Sequence, residues 1–278
     1  MNDRLLLCDL DGVVWLAHRP IPGSVDAIAA AREAGWRVVF VTNNSFSLVD
    51  DVAATLESIG VPATGDVITS AGAGATLVSA GERVLVCGGP GIVEAVTRRG
   101  AVVVSPEEAD GSPTSVDAVM VGFHRDFDYE VMRRASGAVR AGARLIGTND
   151  DATYPTPDGP IPGGGSILAA VATASGVAPI VAGKPHRPMA EAVRELTGGV
   201  GAMAVMVGDR PSTDGLFART LDCRYALVRS GVVAPSADPD DFLDGRSPDE
   251  LVVHFDEADL ESVVRALGVN VRRGRSVL

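Results

Sequence analysis

The chain has 278 residues, 46 % of them hydrophobic and 22 % charged, with a formal charge of −12. Such a composition describes a soluble globular protein with room for one large or two ordinary domains, and its acidity disfavours the phosphate backbone of a nucleic acid as partner. The chain lacks a run of about 18 apolar residues and a signal peptide, so neither a membrane span nor secretion is expected, and the scattered cysteines Cys8, Cys87 and Cys223 give no disulfide or zinc pattern, which points to the cytoplasm.

The first element is a buried strand, Leu5 to Cys8, that runs into Asp9-Leu10-Asp11-Gly12. Ser24 is placed to cap a helix over 25–34 that Gly35 ends. A second strand over 38–41 runs into Thr42-Asn43-Asn44-Ser45, and a helix over 48–59 follows. A short strand at 67–69 and a small-residue helix over 71–80 complete a strand–helix alternation that marks a parallel sheet. From Gly81 the composition shifts and the alternation starts again. Strands are expected at 83–87, 102–104, 118–122 and 144–146 and helices at 92–98 and 129–141, with a loop holding Pro106 and Pro113. The segment 147–165, rich in Pro, Gly, Asp and Asn, reads as a long functional loop, and Ser166 is placed to cap a helix over 167–175. The stretch Pro179 to Ala182 leads back into a loop, Gly183-Lys184-Pro185-His186, then a helix over 188–197. The strand at 204–207 runs into Gly208-Asp209 and on to Asp214; strands at 225–228 and 251–255 and a helix at 260–267 close the pattern, and the tail from Val271 is expected to fray. The fold class is α/β: a doubly wound parallel-sheet core over 1–81 and 180–278, interrupted by a smaller α/β insert over 82–179.

Polar clusters follow three of the strands: Asp9/Asp11, Thr42/Asn43 and Asp209/Asp214. In parallel sheets such ends share one edge, where ligands bind. Asp9 and Asp209 form an oxygen-rich site suited to Mg²⁺. Thr42 and the backbone N–H groups beside it can hold an anion, and Lys184, the one lysine among 24 basic residues, adds a compact positive charge. Taken alone, D-x-D-G is equally a solvated surface turn, and a lone lysine is equally drift in an arginine-biased composition. Together the groups describe phosphoryl transfer, in which charge is neutralised and reacting atoms are held in line.

Asp9-Leu10-Asp11-Gly12-Val13, Thr42-Asn43-Asn44, Gly183-Lys184-Pro185 and Gly208-Asp209 with Thr213-Asp214 resemble, in order, the four motifs of the haloacid-dehalogenase superfamily. Their spacing is similar to subfamily IIA, the branch of 4-nitrophenylphosphatase, phosphoglycolate phosphatase and the NagD-like sugar phosphatases, whose cap domain is inserted between the second and third motifs. The resemblance covers nearly the whole chain. It implies a Rossmann-like core with a specificity-determining cap, Mg²⁺ as cofactor, and hydrolysis of a small phosphorylated metabolite, with no nucleic acid or membrane as partner. Asp9 is then the nucleophile that forms an aspartyl-phosphate, and Asp11 the general acid and then base, with its backbone carbonyl on the metal. Thr42 and the Asn43 backbone hold phosphoryl oxygens, Lys184 neutralises nucleophile and phosphate, Asp209 ligates the metal and Asp214 supports it. The acid two residues after the nucleophile argues for a phosphatase, because true dehalogenases lack it. Asn149, in the long loop, is expected to reach the site. Caps in this branch often pair, which by analogy gives a homodimer through the cap.

Two departures bear on substrate choice. Gly122-Phe123-His124 replaces the branch's usual Gly-x-Asp, and Pro211 and Gly215 replace bulkier residues. His124 reads as a solvated loop histidine, with substrate contact as the other reading. Val86 to Gly91 mimics a dinucleotide turn without a full G-x-G-x-x-G, so no nicotinamide site is expected. Trp15 is expected to pack and to wall the pocket. The alternatives to a phosphatase are a non-catalytic binder of a phosphorylated metabolite and a phosphotransferase or phosphomutase.

Overall fold

A computed structural model of the chain describes residues 3–111, 115–154, 156, 159–243, 245 and 247–272. In chain order the main elements are β1 (Leu5–Cys8), α1 (Ser24–Glu33), β2 (Arg37–Thr42), α2 (Val49–Ser58), β3 (Val67–Thr69), α3 (Ser70–Ala75), β4 (Arg83–Cys87), α4 (Pro90–Arg98), β5 (Val102–Val104), α5 (Pro106–Gly111), β6 (Ala118–Val121), α6 (Tyr129–Arg140), β7 (Arg144–Gly147), α7 (Gly164–Ser175), β8 (Ile180–Val181), α8 (Arg187–Thr197), β9 (Val205–Gly208), α9 (Leu216–Leu221), β10 (Arg224–Val228), β11 (Phe255–Glu257) and α10 (Leu260–Ala266). Contacts divide the chain into two units: Met1–Thr42, Asp50–Ile68 and Val193–Leu278 form the first, Asn43–Val49 and Thr69–Ala192 the second.

The first unit holds a sheet in the order β11-β10-β9-β1-β2-β3. Central β1 pairs in parallel with both neighbours, Leu6 standing opposite Val38 and Val205. Leu6, Cys8, Val38, Phe40, Val205 and Val207 pack with Ala27 and Ile28 of α1 and Leu260, Val263 and Val264 of α10. Their chain neighbours Leu5, Leu7, Val39, Val41 and Met206 face the other way and are equally buried. A strand covered on both faces has no polar side to show, which is why these stretches read as unbroken apolar runs. Each such Leu or Val contributes about 1.5–3 kcal/mol by leaving water.

In the second unit the order is β8-β7-β6-β4-β5, again parallel. On one face Val84, Ala118, Met120 and Ile146 pack with Ala71 of α3 and Ile92 and Val96 of α4. On the other, Leu85, Cys87, Val119, Val121 and Leu145 pack with Ala135 and Val139 of α6 and Leu168 and Val171 of α7. The chain passes from β4 to β5 on one side, then crosses to β6 on the other, so the winding reverses between β4 and β6.

Several expected elements differ. Ser24 is not a cap: it opens α1, its hydroxyl donates to the Val14 carbonyl at 2.8 Å, and Gly23 takes the cap position at φ +85°. Ser166 likewise lies inside α7, which begins at Gly164, and its hydroxyl donates to the Ala152 carbonyl at 2.7 Å. Both hydroxyls donate to a distant carbonyl instead of accepting a backbone N–H of the first helical turn, as a cap would. The stretch after Pro106 is the helix α5, with Glu107 and Glu108 at its positive end; Pro113 falls outside the described residues. The strand expected over 251–255 begins only at Phe255; at His254 the backbone N–H donates to the Tyr225 carbonyl at 2.9 Å, but the Tyr225 N–H goes to the ring Nδ1 at 3.2 Å and not to a ladder carbonyl. The long loop contains a ribbon pairing Thr153–Tyr154 with Ile161–Pro162. Beyond Arg272 the tail lies outside the described residues. Among the described residues no helix is long and apolar enough to cross a membrane.

Candidate active site

Parallel pairing of β1 with β9 brings their carboxyl ends level, and Asp9 and Asp209 are the next residues along each strand. The Asp9 N–H donates to the Val207 carbonyl at 2.9 Å, so the ladder is still intact where the acid begins. A wide π-helical turn, Pro211–Gly215, then brings back Asp214. Asp9, Asp209 and Asp214 each offer a carboxylate oxygen within 4.8 Å of the others. Asp209 and Asp214 are 4 % and 0 % exposed.

The surroundings hold Asp209 in one pose. Its Oδ2 accepts the Val232 N–H at 2.7 Å, from the loop after β10. A methyl group at Gly12 or at Gly231 would collide with its carboxylate, and Gly12 also sits at φ +82°. The Ser230 hydroxyl donates to the Gly12 carbonyl at 2.6 Å, fastening the two loops together. Asp214 accepts the Arg210 N–H at 3.1 Å. Burial first, and then the Asp214 and Asp9 carboxylates, push the Asp209 carboxyl up to about 8, against the Val232 N–H and Arg210. Three crowded carboxylates need protons or a cation. An all-oxygen set of this kind fits a hard divalent ion such as Mg²⁺ or Ca²⁺.

Asp11 is half-buried, and the indole N–H of Trp15 donates to its Oδ1 at 3.1 Å. Trp15 is buried as expected, and its contact with Asp11 gives that packing a purpose. Thr42 ends β2 and is 4 % exposed.

The other expected residues meet within the second unit. Asn43 Oδ1 accepts the Lys184 N–H at 2.7 Å, and its Nδ2 donates to the Lys184 carbonyl and to Asp151 Oδ2, both at 3.1 Å. The Asn43 carbonyl accepts from Asn149 Nδ2 at 2.9 Å and from the Ser70 hydroxyl at 2.7 Å. Asn149 in turn accepts the Asp151 N–H at 3.2 Å. Lys184 is 2 % exposed. The Asn43 side chain is therefore spent on positioning the Lys184 backbone and the long loop. His186, beyond Pro185, meets Asp150 of that loop at 2.9 Å. His124 is not a solvated loop residue: it is half-buried, 3.5 Å from the Cys87 sulfur and edge-on to Phe127, and desolvation lowers its pKa.

Four contributors escaped the sequence reading: Val232 and Gly231 beside Asp209, and Ser70 and Asp151 around Asn43. Val232 acts through its backbone N–H and Gly231 through an absent side chain, so neither leaves a residue-type signal. Asp151 lies in the long loop and Ser70 falls between the strand at 67–69 and the helix over 71–80, with no local pattern that marks either.

Residues 6–101 match the family model for haloacid dehalogenase-like hydrolases, and residues 181–258 match a second hydrolase model of the same kind. The chain is 38 % identical over 233 residues to the D-glycerol 3-phosphate phosphatase of Mycobacterium tuberculosis, covering 82 % of this chain but 63 % of that protein. Over 235 residues it is 33 % identical to the acid sugar phosphatase of Staphylococcus saprophyticus, covering 83 % of this chain and 88 % of that one. The crystal structure of the mycobacterial glycerol phosphate phosphatase in complex with magnesium superposes with a TM-score of 0.80 at 32 % identity, over 94 % of this chain and 76 % of the other.

Proposed function

The chain belongs to the haloacid dehalogenase-like hydrolases, and from that premise we propose that it hydrolyses small phosphomonoesters with Mg²⁺ through an aspartyl-phosphate on Asp9. The observation that carries this reading is the meeting of Asp9, Asp209 and Asp214 at the ends of two adjacent parallel strands.

Asp9 attacks phosphorus, the ester P–O bond breaks, and Asp11 gives its proton to the departing alkoxide oxygen. Asp11, now a carboxylate, takes a proton from water as that water attacks the phosphorus of the aspartyl-phosphate; inorganic phosphate leaves and Asp9 is regenerated. The Trp15 N–H fixes the Asp11 carboxyl for both proton transfers. Thr42 and the Asn43 N–H hold the phosphoryl oxygens, and Lys184 offsets their charge, its backbone held by Asn43. Asp9, Asp209 and the Asp11 carbonyl would hold the magnesium ion, with Asp214 behind Asp209. When bound, the ion neutralises the phosphate and keeps the carboxylates charged.

Residues 82–179 serve as the cap that chooses the leaving group, with Asn149, bonded to the Asn43 carbonyl, the cap residue that reaches the active site, and a homodimer through that cap and a cytoplasmic location complete the reading. Glycerol phosphate and sugar phosphates, the substrates in the relatives' names, are the first candidates. Phosphate release from these and from 4-nitrophenyl phosphate tests the proposal. Turnover should require Mg²⁺ and fall at least ~10³-fold in Asp9→Asn, as for removal of a catalytic nucleophile. Full activity in a well-folded Asp9→Asn would end it.

A further inference from the structure

The loop after β10 sets where Asp209 points, yet residues 229–238 form neither helix nor strand. The Val232 N–H reaches Asp209 Oδ2 at 2.7 Å, the Ser230 hydroxyl reaches the Gly12 carbonyl at 2.6 Å, and Gly231 leaves the space that the Asp209 carboxylate fills. Val233 anchors the middle of the loop by burial. Its far end is tied by one side chain. Arg229 Nη1 donates to the Ala234 carbonyl at 2.9 Å and to the Ala237 carbonyl at 2.7 Å. Nε and Nη2 of the same guanidinium meet the two oxygens of Asp256, in β11, at 2.7 and 2.6 Å. The Arg229 N–H continues the ladder to the Glu257 carbonyl at 2.9 Å, which fixes where the side chain starts. All of these residues belong to the first unit.

A guanidinium is a rigid planar fork. Two parallel bonds to one carboxylate set its plane, so the remaining nitrogen has one direction left. Here that direction is the loop, whose carbonyls at 234 and 237 it draws back towards its own residue. The loop is thereby closed on itself, with Ser230, Gly231 and Val232 inside the closed stretch. Asp256 also balances the guanidinium charge, so the clamp brings no uncompensated positive charge to a loop that serves a cation site. Only 11 % of the Arg229 side chain is exposed, unlike an ordinary surface ion pair. We propose that Arg229 is a positioning residue for the magnesium site, acting through this loop to hold the Val232 N–H and the Gly231 gap against Asp209. The inference rests on the phosphatase reading for the identity of the ion, but not for the hold on the loop.

Two measurements on the full chain separate these parts. Hydrogen exchange without metal reads the Val232 N–H, and thermal melting against Mg²⁺ concentration reads the site. In Arg229→Gln the exchange rate at Val232 should rise about tenfold, as for loss of a hydrogen bond to a charged group. The magnesium midpoint should rise about tenfold as well, within the range for groups that orient metal ligands. Arg229→Lys offers a point charge where a fork is needed and should recover only part of each effect. Asp256→Asn alters a side chain that is 46 % exposed, so it stays informative if Arg229→Gln fails to fold. It should shift both readings about threefold, the size of one weakened hydrogen bond. A lower metal-free melting temperature with Val232 exchange and the magnesium midpoint unchanged would make the clamp a staple for stability and overturn the inference. A wild type that Mg²⁺ does not stabilise overturns the phosphatase reading instead, and Val232 exchange in the variants then decides the hold on the loop by itself.

Discussion

Asp11 and Trp15 show what a single hydrogen bond can decide. In the proposed mechanism the Asp11 carboxyl gives a proton and then takes one, and the Trp15 indole N–H donates to one of its oxygens at 3.1 Å. Trp15→Phe keeps the ring and removes the donor. We expect kcat for glycerol phosphate to fall about tenfold, as expected for loss of part of a general-acid contribution of 10²–10⁴, with KM little changed. With 4-nitrophenyl phosphate, whose leaving group departs without a proton, the loss should be about twofold or less. Equal losses on both substrates would assign Trp15 to packing alone. The meeting of Asp9 and Asp209 was legible from the sequence, because both are acids standing where apolar strands stop, a contrast visible in one dimension. What Asn43 does was not legible. Its side chain reaches Lys184, 141 residues away, and no local pattern records such a partner.

The elements that matter most are turns whose backbone does the holding. The loop after β10 supplies the Val232 N–H to Asp209 and, through Gly231, the space that its carboxylate fills. Gly231→Ala should displace Asp209 rather than unfold the chain. The Mg²⁺ concentration for half-maximal thermal stabilisation should rise about tenfold, within the 10–100-fold typical of groups that orient metal ligands, with the metal-free melting temperature little changed. An unaltered magnesium midpoint would show that the loop yields. The strands were legible as apolar runs bounded by glycine and polar residues, and nearly all lie where they were expected. Cap residues were misjudged where a side chain had a tertiary choice, as at Ser24 and Ser166.

For the whole molecule, the acidic cluster ties stability to pH and to metal. Asp209 moves from an ordinary 3.8 to about 8 on folding, so between those values the metal-free fold retains a proton that the unfolded chain releases. Linkage then makes the metal-free fold lose stability as pH rises through this interval, and the loss is complete above about 8. A bound divalent ion takes the proton's place. The melting-temperature gain from Mg²⁺ should therefore be small at pH 5 and several degrees at pH 8, about 2–4 °C for each kcal/mol in a domain of this size. Asp209→Asn should raise the metal-free melting temperature at pH 8 and abolish the magnesium effect; a gain that is flat with pH would contradict this. The sheet of the first unit carries a different cost, one of time. Leu6 sits in register with Val205, so β1, once synthesised, waits for a neighbour nearly two hundred residues behind it. At ordinary translation speeds that interval is about 10–40 s, during which Leu5–Cys8 has an apolar surface and no completed sheet to enter. Residues 69–192, synthesised within that interval, contain the strands and helices of the second sheet and can close it first. The newborn chain thus passes through a stage with one finished half and one adhesive half-built one, when a holding chaperone has most to protect.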